Sequence, residues 1–185
     1  MYGLTQLDNI VYVLCDDPVP IRMFTADNLS PLGKAIDVEG MKEPIHIVAC
    51  RRDRQLYLAE KDGDCIWRMS VDDHSYKKWL TTESTEEKFH MTGLSMSSGV
   101  LLVTSSAPSS TVRQYSTVDA RQVRVVQLPK FVRCLWHGVE TSRGTFVISH
   151  LNTSEDKDDD DDEGQAAVSE LFYLAVYWLA PPDSQ

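Results

Sequence analysis

At 185 residues, 42% of them apolar, the chain is long enough to bury one sizeable core and too apolar to be disordered throughout. Its net charge is −10, but the eight carboxylates and one lysine from Glu155 to Glu163 supply −7 of it, so the body is nearly neutral. That body lacks the excess positive charge behind non-specific nucleic-acid binding, and the longest apolar run, ten residues from Leu171 to Ala180, falls short of the roughly 20 needed for a membrane-spanning helix.

The N-terminus has no basic segment followed by an apolar one, so no signal peptide is expected. Cys15, Cys50, Cys65 and Cys134 are far apart and form no Cys-x-x-Cys pair. Three of them continue the apolar alternation of predicted strands, where a free thiol behaves as a small hydrophobe. A reduced, cytoplasmic setting is expected, which leaves the sequons at Asn28 and Asn152 incidental.

In chain order, Asn9–Leu14 and Ile21–Thr25 read as a strand pair across Asp16-Asp17-Pro18, with a further strand over Gly33–Val38; this first unit is expected to lack its innermost strand. The second unit is complete. His46–Cys50 and Leu56–Glu60 flank the turn Arg51-Arg52-Asp53-Arg54, Cys65–Val71 follows Asp62-Gly63, and Tyr76–Leu80 follows Asp72-Asp73-His74-Ser75. The third unit takes Thr92–Met96, Val100–Thr104, Val112–Ser116 and Val123–Leu128. The fourth opens with Trp136–Glu140 and Thr145–His150, is interrupted by the acidic stretch 154–165, and regains apolar character at Leu171–Leu179.

Tyr12, Tyr57, Leu102 and Val147 lie 45 residues apart, and a repeat of that length made of four short strands has the size of one β-propeller blade. The expected fold is therefore all-β, with tandem four-stranded antiparallel blades of a β-propeller. About three and a half blades (roughly 9–40, 44–80, 90–128 and 134–179) lie in a single domain over 1–180, followed by a tail at 181–185. Such a ring is incomplete, which predicts closure by a second chain, forming a homodimer, or a fragment of a longer protein; the change of character after Val168–Leu171 favours truncation. The stretch 154–165 lacks the spaced ligands and turn glycine of a calcium loop, so it is expected to be a disordered, solvated insertion able to attract a basic partner.

The segments LYLAEKDGDCIWRMS and VYVLCDDPVPIRMFT resemble NHL-repeat blades, in which a strand of the type Leu-Tyr-Val-Ala, a polar turn and a strand opening with Ile and Arg follow one another. HGVETSRGTFVISH is similar to the blade opening of uncharacterised animal members. Here Asp64-Cys65 and Pro18–Pro20 replace the usual Asn-His before the third-strand Arg. The resemblance implies a propeller used as an interaction platform. Some members bind RNA and others serve tripartite-motif ubiquitin ligases, but the RING and B-box spacings of a ligase are absent from this sequence.

The candidate interaction surface is Arg51, Arg52 and Arg54 in one turn with Lys77, Lys78 and Trp79 in the outer strand of the same blade, where stacking beside positive charge suits RNA as an alternative partner. Arg22, Arg68 and Arg113 recur in third strands and are expected to join blades, with Trp67, Tyr115 and Phe24 packed between them. Glu60 and Glu140 are the nominees for a metal-dependent, lactonase-like hydrolase, and Cys134, His137 and His150 for zinc, though Cys-x-x-His is not a finger spacing. No catalytic residue, metal or cofactor is expected, and no membrane. The reading is a non-catalytic protein-binding module with an unidentified protein partner, ahead of RNA binding, with hydrolysis third.

Overall fold

The computed structural model describes residues 3–15, 20–33, 35–60, 65–81, 89–107, 110–130, 132–151 and 172–177. All regular structure among them is β, in four antiparallel sheets that follow one another along the chain. The first holds β1 (Gly3–Leu7), β2 (Ile10–Leu14), β3 (Pro20–Thr25) and β4 (Ile36–Asp37); the second holds β5 (Pro44–Cys50), β6 (Gln55–Glu60), β7 (Cys65–Ser70) and β8 (Tyr76–Thr81). The third comprises β9 (His90–Ser97), β10 (Val100–Ala107), β11 (Thr111–Ser116) and β12 (Gln122–Gln127), and the fourth β13 (Arg133–Glu140), β14 (Phe146–Leu151) and β15 (Phe172–Tyr177).

The turns match their residues. Ser98-Gly99 joins β9 to β10 in two residues, both at positive φ (43° and 85°), the backbone a tight hairpin with right-handed twist requires. Arg51–Arg54 closes β5 onto β6 with Arg54 at φ 51°. At 71–75, Asp73 accepts hydrogen bonds from both the amide and the hydroxyl of Ser75, which fixes the turn before β8.

Each sheet is a meander whose first strand packs beside the first strand of the next: β1 on β5, β5 on β9, β9 on β13. These inner strands all run the same way. Gly3 lies against His46 and Ile47 while the Ala49 amide donates to Thr5 Oγ1, and Gly93 lies against Trp136 and His137 while Ser95 Oγ donates to Gly138 O, so residue numbers rise together. The sheets therefore share one end where inner strands start and another where they finish.

Between successive sheets lie three cores. The first gathers Leu7, Tyr12, Leu14 and Ile21 against Leu56, Leu58 and Trp67; the second Tyr57, Ala59 and Ile66 against Leu94, Leu101 and Tyr115; the third Leu102 and Val112 against Leu135, Phe146 and Ile148. Tyr12, Tyr57 and Leu102, which share the 45-residue register, each point into the core shared with the following sheet. Neighbours on the same strands, Leu56 and Leu58, Leu101 and Val103, Phe146 and Ile148, point back to the preceding sheet, because strand side chains alternate between faces. Val147 holds the outward position on the fourth sheet, and half-buried Val11 and Val13 hold the backward position on the first.

Two expectations are corrected. The first sheet does have an innermost strand: Gly3–Leu7 pairs with β2 from Gly3↔Leu14 to Leu7↔Ile10. Thr5 and Gln6 break its apolar pattern, and its place is set by neighbours, through β2 and the Ala49 amide bonded to Thr5. Phe24 is not packed between sheets. Ile21 and Met23 take the face toward the second sheet, so Phe24 turns to the outer face of the first. The third strand of the fourth sheet falls within the predicted Leu171–Leu179 run, with Val147 paired to Val176. Val168 and the acidic stretch 154–165 lie outside the described residues, as does the tail 181–185.

Candidate functional site

Three inner strands are interrupted near their starts. The pairing skips Ile45 in β5, Thr92 in β9 and Trp136 in β13, leaving one extra residue on the inner strand at each place. Bulges of this kind bend a strand and re-aim its side chains. They recur at intervals of 47 and 44 residues, so this feature repeats with the blades. The residues that follow the three bulges are His46, Gly93 and His137.

The middle one matters because it has no side chain. The imidazoles of His46 and His137 stack with centroids 4.9 Å apart and planes 15° apart, although a whole sheet separates their strands. A Cβ at Gly93 would stand 2.7 Å from Trp136 O, 2.9 Å from His137 Nδ1 and 3.0 Å from Thr104 Oγ1, so any other residue there would displace the His137 ring. Around this point the third and fourth sheets are laced together. The single proton of the buried Thr104 hydroxyl is shared between Gly93 O (3.1 Å) and Trp136 O (3.3 Å), the hydroxyl accepts from Thr92 Oγ1 (3.1 Å), and Ser95 Oγ reaches Gly138 O at 2.6 Å.

The bulges and histidines open onto a cavity of about 690 Å³. Ile45, Met91, Leu135 and Trp136 give it mainly apolar walls, and among the described residues no Asp, Glu, Lys or Arg lines it. Trp136 is 53% exposed. Burial, and then the neighbouring His137, lowers the pKa of His46 from 6.5 to about 4; burial also lowers that of His137. Both rings are therefore neutral near pH 7, and the Nδ1 atom of each is buried without a hydrogen-bond partner.

The candidate basic surface is not gathered into one patch. At the other end of the sheets, Arg52 pairs with Asp53 (2.8 Å) and donates to Thr117 Oγ1 of the third sheet, while Arg54 bridges Asp8 of the first sheet (2.6 Å) and Asp72 (2.9 Å). The Arg52 guanidinium beside Asp53 holds that carboxyl well below the usual carboxylate range. These two arginines stitch the second sheet to its neighbours, and Arg51 is exposed. Lys77 and Lys78 pair with Arg68 and Trp67 and so take opposite faces, with Lys78 Nζ 5.3 Å from the Trp67 ring centre. Trp79, the extra residue of a bulge, is half-buried edge-on against Tyr57 at 4.9 Å.

Arg113 is buried with its guanidinium 4.3 Å from the Phe89 ring centre, whereas Arg22 is exposed. Trp67 and Tyr115 do pack between sheets. Glu60, 2% exposed, accepts from Trp67 Nε1 (2.7 Å), Cys65 Sγ (3.1 Å) and the Lys42 amide (3.0 Å). Burial alone would raise its pKa, and the three donors more than offset it, leaving it lowered. Glu60 pairs with Pro44 at the start of β5, while Glu140 ends β13 and accepts from Gln114 (2.9 Å), so the two carboxylates stand at opposite ends of the sheets and share no site. Among the described residues no three His, Cys, Asp or Glu side chains are grouped to hold a metal. Cys134 and His137 line the cavity; His150 lies buried on β14. His46 and the bulged Trp136 were missed as site residues, although their blade-length spacing to Gly93 and Thr92 is visible once the bulges are known.

No family model matches the sequence, and no curated protein matches it. Solved structures do. Hydrazine synthase of Kuenenia stuttgartiensis is similar over 94% of this chain and 49% of its own, with 14% identity and a TM-score of 0.68. A chain of a nidogen/laminin complex is similar over 82% of this chain and 57% of its own (12%, 0.66), and a Lactobacillus plantarum protein over 100% and 57% (13%, 0.59). These neighbours are β-propeller folds, and the chain spans about half the length of each. At such identity the likeness fixes the scaffold and nothing of the activity.

Proposed function

We propose that this propeller segment is a non-catalytic protein-binding module of the NHL-repeat type, which meets its partner at the end of the sheets where the inner strands begin. One observation carries this reading: a cavity whose described walls are mainly apolar opens there beside the half-exposed Trp136, while Arg52 and Arg54 at the opposite end are engaged in contacts between sheets. Exposed tryptophan beside an apolar recess is the composition of interface centres. The repeat type draws support from β6 and β7, which coincide with the two strands of the LYLAEKDGDCIWRMS motif.

The test places an aromatic photo-crosslinking residue, which keeps a flat ring beside the recess, at position 136 or, at the opposite end, at Ser142. A discrete protein adduct from position 136 alone is expected, suppressed by excess unlabelled chain but not by excess Trp136→Ala chain. Equal adducts from both positions, or suppression by both competitors, would refute this site of engagement.

We also propose a second copy as the occupant of the two end faces. Val147 sits where Tyr12, Tyr57 and Leu102 fill junctions, and Val11 and Val13 sit where Leu56 and Leu58 do. Leu4, 59% exposed, lies on the same outer face as Phe24. The end of one copy thus continues into the start of the next the same packing that joins sheets within the chain.

A further inference from the structure

We infer that the cavity floored by the His46–His137 stack is a binding site for an uncharged aromatic group that carries an oxygen acceptor, such as a phenol. The inference rests on the reading that this end of the sheets is the binding end, and it adds what the cavity admits. Size comes first: about 690 Å³ lies within the range of small-ligand sites and exceeds what a single aliphatic side chain fills.

Charge is the second criterion. Among the described residues the walls include Ile45, Met91, Leu135 and Trp136 and no Asp, Glu, Lys or Arg, so a carboxylate or ammonium brought against them would lose hydration with no such counterion to replace it. The flat faces of Trp136 and of the imidazole stack suit an aromatic ring, which packs offset or edge-on against such surfaces.

Hydrogen bonding is the third. A neutral imidazole has one N–H and one bare nitrogen. Both Nδ1 atoms are sealed from solvent and unpartnered, and a sealed acceptor costs less than a sealed donor, which assigns the proton to Nε2 in each ring. Nε2 is then the nitrogen left for a ligand, and it offers a donor. Two such donors, brought to one place from sheets two apart by the glycine between them, favour a ligand oxygen with free lone pairs. Among the described residues, the other titratable side chains that line the cavity are His90 and Cys134, both at the starts of inner strands.

Binding is read from the histidine Hε1 and tryptophan indole resonances of the full chain during titration with 4-methylphenol, toluene or benzoate. Saturable shifts at His46, His137 and Trp136 are expected for 4-methylphenol, with toluene about five-fold weaker for want of the hydrogen bond and benzoate without effect. His137→Phe keeps the stacked ring and removes the donor, so it should weaken 4-methylphenol about five-fold while leaving toluene unchanged; His46→Phe gives the same comparison if the first variant folds poorly. N-acetyl-tyrosinamide separates the sources. Tighter binding than 4-methylphenol assigns the cavity to a partner's side chain, and exclusion assigns it to a free small molecule. Benzoate binding as well as 4-methylphenol, equal binding of toluene, or no shift with any probe would overturn the inference. Adducts at position 136 that persist with His137→Phe would leave the protein-binding reading standing alone.

Discussion

Gly93→Ala is the most revealing single change, because its two consequences differ in sign. Gly93 is not in the left-handed region, so alanine fits its backbone and, by restricting the unfolded chain, would stabilise the fold by about 0.4–1 kcal/mol if space allowed. Space does not allow it. The new methyl would sit 2.7 Å from the backbone oxygen of Trp136, about 0.7 Å inside ordinary contact, and 2.9 Å from His137 Nδ1. A backbone oxygen cannot swing away, so β13 must retreat from β9 and the imidazole must lift. Overpacking of this sort costs about 1–3 kcal/mol, and the stretched Thr104–Trp136 bond adds about 1 kcal/mol. The net expectation is a loss of about 1–3 kcal/mol in urea unfolding, with shifted His46 and His137 resonances. Gly144→Ala is the control. It has φ 74° and nothing within 4 Å, so it should lose about 1 kcal/mol from backbone strain and leave both histidines unmoved. A stabilised Gly93→Ala protein would refute the packing of the His46–Gly93–His137 row.

Four further outcomes follow from the same contacts. His46 titrates near 4 when folded against 6.5 when unfolded, so the unfolded chain takes the proton first: its contribution, at most about 3 kcal/mol, is complete above pH 6.5 and is lost as pH falls toward 4, and stability curves that stay parallel for wild type and His46→Phe would contradict it. Glu60→Gln turns an amide N–H₂ toward donors at Trp67, Cys65 or the Lys42 amide and should cost about 2–3 kcal/mol with a shift in Trp67 emission; an unchanged urea midpoint would show that these bonds are not made. Arg54→Met should leave the urea midpoint almost unchanged, with any difference vanishing in 1 M salt, since its ion pairs are exposed, and retention of single-stranded RNA on a filter should not differ between it and wild type; salt-dependent retention lost with Arg54 would restore the nucleic-acid reading. Light scattering should give twice 20.9 kDa, falling to one copy in Leu4→Arg; a wild-type monomer at tens of micromolar would refute closure by a second copy.

Much of the architecture is local and was therefore legible in the sequence. Strand alternation, the Ser98-Gly99 hairpin and the charged turn 51–54 depend on residues a few positions apart, and the 45-residue register repeats because each blade must send one face forward and one back into equivalent cores. Tyr12, Tyr57 and Leu102 thereby carry the repeat length, while their place on the forward faces came from the packing of the sheets. The strand at Gly3–Leu7 was not legible, since polar Thr5 and Gln6 carry no strand pattern of their own and are held by β2 and Ala49. Phe24 was misplaced because alternation fixes which residues share a face but not which face has a neighbour.

The basic residues show the same division. Sequence put Arg51, Arg52 and Arg54 in one turn, but whether they faced a ligand or Asp8, Asp72 and Thr117 depended on where other sheets brought those partners. The candidate site was decided by tertiary structure alone. Bulges at Ile45, Thr92 and Trp136 shift pairing by one residue without a local signature, and only the packing of three inner strands side by side sets His46 against His137 across the gap that Gly93 leaves. Hydrophobic period and turn chemistry are properties of neighbours in the chain; a cavity is a property of side chains more than 40 residues apart, and no short-range preference encodes it.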